Sequence, residues 1–103
     1  MAKFNVSNII NDNGNLASNQ FIINTPKATY FQSYESVVAK IDRKGNLIVS
    51  EHWDYSNTTR KHLYIFLRMY GYQYRHLCSA KDMRNAIKNK EVILKKVSSL
   101  DIA

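Results

Sequence analysis

A chain of 103 residues is long enough for one hydrophobic core and too short for two, so a single domain over residues 1–103 is expected. With 45% hydrophobic and 12% aromatic residues it falls outside the disordered class, and its lone Cys78 excludes an internal disulfide. The formal net charge of +7 is unevenly placed: up to Glu51, five bases oppose Asp12, Glu35, Asp42 and Glu51, while the remainder holds ten bases and four acids.

No apolar run approaches the ~20 residues of a membrane span, and MAKFNVSNII lacks the apolar segment of a secretory signal. A cytoplasmic protein with no membrane partner is therefore expected. The basic C-terminal half would attract nucleic acid, a ribonucleoprotein or an acidic protein, or would serve solubility alone.

In chain order, residues 1–19 set Phe4, Val6, Ile9, Ile10 and Leu16 among Asn and Ser, with Asn13-Gly14 as a tight turn. This stretch reads as a hairpin or as a mobile arm. QFIIN (20–24) has strand composition and stops at Pro26. From Ala28 to Asp42 a strand is predicted, with Phe31, Val37, Ala39 and Ile41 on one side and Tyr30, Gln32, Tyr34, Val38 and Lys40 on the other, and a bend or bulge at Ser33–Ser36. Arg43-Lys44-Gly45-Asn46 predicts a β-hairpin in which Gly and Asn both supply left-handed conformations.

WDYSNTTRKHLYIFLRMYG (53–71) is the longest apolar-rich run, with Asp54 or Ser56 as N-cap and Gly71 as a left-handed C-cap. Leu63, Phe66, Leu67 and Tyr70 form one core face, while Lys61, Tyr64, Ile65 and Arg68 form a mixed second face, either covered or open to a partner. YQYRHLC follows as an irregular connector rich in stacking groups, Tyr72 and Tyr74 beside Arg75. Ser79 with Asp82 starts a second helix with Met83, Ala86 and Ile87 inward and Lys81, Arg84, Asn85 and Lys88 outward. EVILKKV ends as a short strand or as more helix. The predicted fold is α+β: a small antiparallel sheet with a β-hairpin, packed against a central helix and a second, shorter one.

Chemistry is sparse. His52, Asp54, His62, His76 and Cys78 are atoms zinc would accept, but their spacing fits no metal signature, so no metal and no cofactor are predicted. The thiol and hydroxyls have no base oriented toward them, and the three glycines are too scattered for a phosphate loop, so no catalytic residue and no enzyme is predicted. Two helices followed by a basic strand also admit a winged helix-turn-helix, against which the long connector argues. The candidate partner-binding or nucleic-acid-binding residues are Lys61, Tyr64, Arg68, Tyr72, Tyr74, Arg75, Lys81, Arg84 and Lys88. A homodimer through Tyr64 and Ile65 is the other use of the mixed face.

The segments TYFQSYESVVAKID and HWDYSNTTRKHLYIFL, through FQSY, WDYS and TT-x-KHL-x-x-FL, resemble a family of small proteins from phages and mobile elements of Gram-positive bacteria. The similarity spans about Thr29 to Leu67 and carries no catalytic motif. The resemblance implies a small cytoplasmic accessory protein, non-enzymatic, of a kind that includes anti-defence factors such as anti-CRISPR inhibitors. A DNA mimic would be acidic, so an inhibitor of this charge is expected to bind guide RNA, a nucleoprotein or an acidic surface.

Overall fold

The computed structural model describes residues 5–102, which leaves Phe4 outside it. Asn11 turns the chain with its own side chain, accepting from the backbone N–H groups of Asn13 and Asn15 at 3.0 Å, while Gly14 takes φ +82°. The strands on either side, β1 (Asn5–Ile10) and β2 (Leu16–Asn24), pair antiparallel, so the described part of the N-terminal stretch is a hairpin of the main sheet.

The expected bend at Ser33–Ser36 is a full reversal. It separates β3 (Ala28–Ser33) from β4 (Ser36–Asp42), with only Tyr34 and Glu35 between them. Tyr34 sits at φ +55°, which is why a sequence read for Gly and Asn turns does not predict a hairpin here. The predicted alternation of faces also breaks in β4. Phe31 pairs with Ala39 and Gln32 with Val37, so one residue bulges and both Val38 and Ala39 join the helix-side core.

The next hairpin forms as expected between β4 and β5 (Leu47–Ser50), with one correction: Gly45 takes φ +86° and Asn46 is not left-handed. Asp42 stabilises this turn by accepting from the N–H groups of Lys44 (2.9 Å) and Asn46 (3.0 Å). Those bonds, that from Asn46 foremost, lower the Asp42 pKa from its ordinary value.

After a 3-10 turn at Glu51–Asp54 that buries Trp53, α1 runs Asn57–Tyr70. Ser56 is its N-cap, accepting from the Thr59 N–H at 3.1 Å. Gly71 ends it at φ −99°, not in the left-handed region. Close approach is what requires glycine there, since a Cβ would stand 3.1 Å from Ile41 Cδ1 and from Leu67 Cδ2. A second 3-10 turn at Tyr72–Tyr74 leads to α2 (Ala80–Lys88), so residues 71–79 separate the helices, longer than a helix-turn-helix allows. Strand β6 (Ile93–Lys95) then pairs parallel with β5, and the strand order is β1-β2-β3-β4-β5-β6. The fold is α+β, as the pattern predicts, with one parallel pair in an otherwise antiparallel sheet.

Leu63, Phe66 and Leu67 of α1 and Met83 and Ala86 of α2 pack on Ile22, Phe31, Val38, Leu47 and Val49 of the sheet. Each of these side chains except Ala86 contributes roughly 1.5–3 kcal/mol by leaving water. Tyr70, predicted to be core, is 37% exposed, and its ring meets Phe66 at a tilt, with centroids 5.6 Å apart. The opposite sheet face is covered by the C-terminal segment: Leu100, with Val97 and Ile102, packs on Ile23, Ala28, Tyr30 and Val37. Two bonds to one residue fix that segment, since Val37 N–H donates to Ser99 Oγ (2.8 Å) and its carbonyl accepts from Leu100 N–H (2.9 Å).

Candidate functional site

Helix α1 presents Arg60, Lys61, Tyr64 and Arg68 to a shallow cleft of about 320 Å³, closed on its other sides by Asp12, Cys78 and Ala80. Lys61 and Arg68 are exposed, as are Lys81, Arg84 and Lys88 of α2. Arg84 reaches back to Asp54 (2.9 Å), which also pairs with Arg60, so one carboxylate ties α2 to the start of α1. The Arg84 guanidinium also lies 5.9 Å from the Trp53 ring centroid. At the far end, Arg75 Nε donates to the Arg68 carbonyl (3.2 Å) and its guanidinium lies over the Tyr72 ring at 4.9 Å. Tyr72 is 79% exposed.

Seven of the nine predicted residues therefore reach solvent along one pair of helices and the turn between them. Tyr74 does not. It is buried, and its hydroxyl accepts from the Leu47 N–H at 3.2 Å, so this tyrosine fastens the connector to β5 and is withdrawn from any partner. Tyr64 is intermediate: its ring lines the cleft, but its hydroxyl is enclosed without a protein partner, and burial pushes its pKa up. Ile65 is buried, so the mixed face is covered at its centre and Tyr64 with Ile65 offers no open apolar contact for a dimer.

The residues that sequence reasoning missed are the counter-charges. Asp12, in the β1–β2 turn, pairs with Arg68 at 3.0 Å from 56 positions away. Asp82 forms no ion pair among the described residues: its carboxylate accepts from the Cys78 N–H at 3.2 Å, which lowers its pKa, while Ser79 caps α2 by accepting from the Asp82 N–H. The acidic relative of a capping box thus forms with its return bond one residue early.

A second cleft, larger at about 760 Å³, lies between the β3–β4 turn and the start of α1, with Asn19, Tyr34, Glu35, His52, Tyr55 and Thr58 on its walls. His52 Nδ1 and Ser36 Oγ share a hydrogen bond of 3.1 Å, and the His52 ring stacks on Tyr55 with centroids 5.3 Å apart. Its floor carries Ser33 Oγ, 3.0 Å from Thr59 Oγ1. His62 is buried, and its Nδ1 donates to the Thr58 carbonyl at 2.7 Å. Among the described residues no group of three or more His, Cys, Asp or Glu is placed to hold a metal ion. Nor, among them, is any helix long and apolar enough to cross a membrane.

Fold and surface together define a small α+β domain with a cationic helical face. The chain belongs to a family of unknown function, DUF8033, whose sequence profile matches residues 4–93. No curated protein and no solved structure matches it.

Proposed function

We propose that this chain is a non-enzymatic binding protein that engages nucleic acid, free or within a host nucleoprotein, through the α1–α2 face. The observation that carries the reading is the continuity of that face: Tyr72 and Arg75, Arg68, Lys61 and Arg60, then Arg84, follow one another along the helices. The carboxylates beside it, Asp12 and Asp54, are both paired with arginines. Lys61, Lys81 and Lys88 form no ion pair among the described residues, which leaves three point charges for phosphates. Arginine on an open tyrosine adds a surface on which an unstacked base can lie.

The resemblance to phage and mobile-element accessory proteins suggests the use: interference with a host nucleic-acid-handling or defence system, in the manner of an anti-CRISPR inhibitor, in a bacterial cytoplasm. Capture on the immobilised chain from a Gram-positive host lysate, with and without nuclease, tests this. Recovery of a nucleic-acid-processing complex supports the reading, and retention lost on nuclease treatment identifies nucleic acid as the bridge. Recovery of no nucleic acid and no such complex counts against it.

A further inference from the structure

Two non-glycine residues with left-handed backbones meet at the larger cleft. Asn19 takes φ +61° and Tyr34 φ +55°, and the Tyr34 N–H donates to the Asn19 carbonyl at 2.7 Å. For a bulky side chain this conformation is costly, and at such a position in a two-residue hairpin loop glycine is the undemanding choice. A tyrosine held there against its backbone preference, 47% exposed and lining a cavity, has the form of a ring retained for what it touches.

The rest of the cleft says what that is. Tyr55 is 69% exposed, with one side of its ring already stacked on His52, so the pair forms an aromatic platform with an open face. Around it stand the Asn19 amide, the Glu35 carboxylate and the Thr58 hydroxyl, groups that hydrogen-bond the edge of a heterocycle. None of the described residues lining this cleft is Lys or Arg, which fits an uncharged base and not a phosphate. The cations are next door. Ser56, Thr58 and Thr59 at the start of α1 line this cleft, while Asn57, Arg60 and Lys61 of the same stretch line the basic one. Behind the floor, Gln20 pairs in register with Ser33 and is fully buried with both side-chain polar atoms unpartnered, so this end of the helix–sheet interface holds unspent hydrogen-bonding capacity.

We infer that this cleft is a base-binding pocket for single-stranded nucleic acid: the backbone of the strand lies on the Arg60–Lys61–Arg68 face, and one unstacked base enters between Tyr34 and Tyr55. The inference rests on the basic face being a nucleic-acid surface, and it adds strand selectivity, because a base paired within a duplex cannot enter.

The test is fluorescence anisotropy with labelled single-stranded DNA and RNA of roughly 12 nucleotides, a length within the range of one small binding module, against the matching duplexes. The wild-type chain binds the single strands more tightly than the duplexes. Tyr55→Ala weakens single-strand binding about tenfold, the loss of one stacked base, and leaves duplex binding and the salt slope unchanged. Tyr34→Gly relieves the left-handed strain, so it raises the melting temperature by a few degrees, roughly, while also weakening single-strand binding. A loss of binding in a more stable protein cannot be misfolding. Salt-dependent binding that is equal for single strands and duplexes, and indifferent to both variants, overturns the pocket and leaves the basic face standing. Absence of binding to any of the four probes overturns both.

Discussion

Arg68 Nη2 stands 3.0 Å from Asp12 Oδ1, joining the outer face of α1 to the turn of the N-terminal hairpin. Both side chains are more than half exposed, and such a pair contributes about 0–1 kcal/mol to stability. Its larger consequence is electrostatic, because Asp12 places a negative charge inside the surface proposed to meet phosphates. Asp12→Asn is therefore expected to leave the melting temperature nearly unchanged and to tighten nucleic-acid binding by up to about fivefold at low salt. Titrations of the two proteins in parallel check this, and weaker binding by the variant would contradict it.

Tyr74 makes the opposite case, an aromatic residue of the basic connector with a structural task. Tyr74→Phe keeps the ring and removes the acceptor of the buried Leu47 N–H. The expected cost is about 1–3 kcal/mol, read by chemical denaturation, with nucleic-acid affinity unchanged. A stable variant that binds poorly would return Tyr74 to the binding surface.

Gly71 and Gly45 separate two reasons for glycine. At Gly45 the backbone is left-handed, and Gly45→Ala should cost about 1–2 kcal/mol. At Gly71 the backbone is ordinary and the obstacle is steric, with Ile41 and Leu67 both in the packed core. Gly71→Ala should cost about 1 kcal/mol or somewhat more, and Gly71→Asn at least as much, whereas a left-handed cap would accept Asn. Thermal unfolding of the three variants decides it.

Asp42 and Asp82 both have pKa values lowered from 3.8, by backbone N–H groups of Asn46 and Cys78 respectively. A carboxyl whose folded pKa is depressed contributes stability that is present above its unfolded pKa and is lost as pH falls through the folded one. Melting temperature should accordingly hold steady near neutrality and fall once pH drops below about 4. In the Asp42→Asn, Asp82→Asn double variant the acid-dependent part of the fall should shrink. An unchanged acid profile would show that these bonds carry no pH linkage.

Local rules account for much of this architecture. The periodicity of Leu63, Phe66 and Leu67, the cap at Ser56, the Ser79–Asp82 start of α2 and the strand in EVILKKV all follow from pattern and short-range hydrogen bonding. What escaped depends on contacts far apart in the chain. The Tyr34–Glu35 reversal is held by the carbonyl of Asn19 on the neighbouring strand, not by turn-forming residues. The burial of Tyr74 depends on Leu47, 27 positions earlier. The C-terminal cover depends on Val37, whose partners Ser99 and Leu100 are about 60 residues away.

The candidate surface divides the same way. Lys61, Arg68, Lys81, Arg84 and Lys88 could be placed outward by helical phase alone. The carboxylates that modulate them, Asp12 and Asp54, come from a hairpin turn and a helix junction and are assigned only by the fold. The aromatic cleft is assembled from three separate segments, Asn19, Ser33–Val38 and His52–Thr59, none of which signals a site by itself.

If the α1–α2 face binds nucleic acid through its cations, as proposed, the salt dependence of that binding reports it. With affinity for a single strand measured from roughly 50 to 200 mM salt, log K should fall linearly with log salt concentration. Lys61→Ala should reduce the magnitude of that slope by about 0.7, the increment for one single-strand phosphate contact. Binding that does not weaken with salt, or a slope indifferent to loss of Lys61, Lys81 and Lys88 together, would rule out the proposed cationic interface.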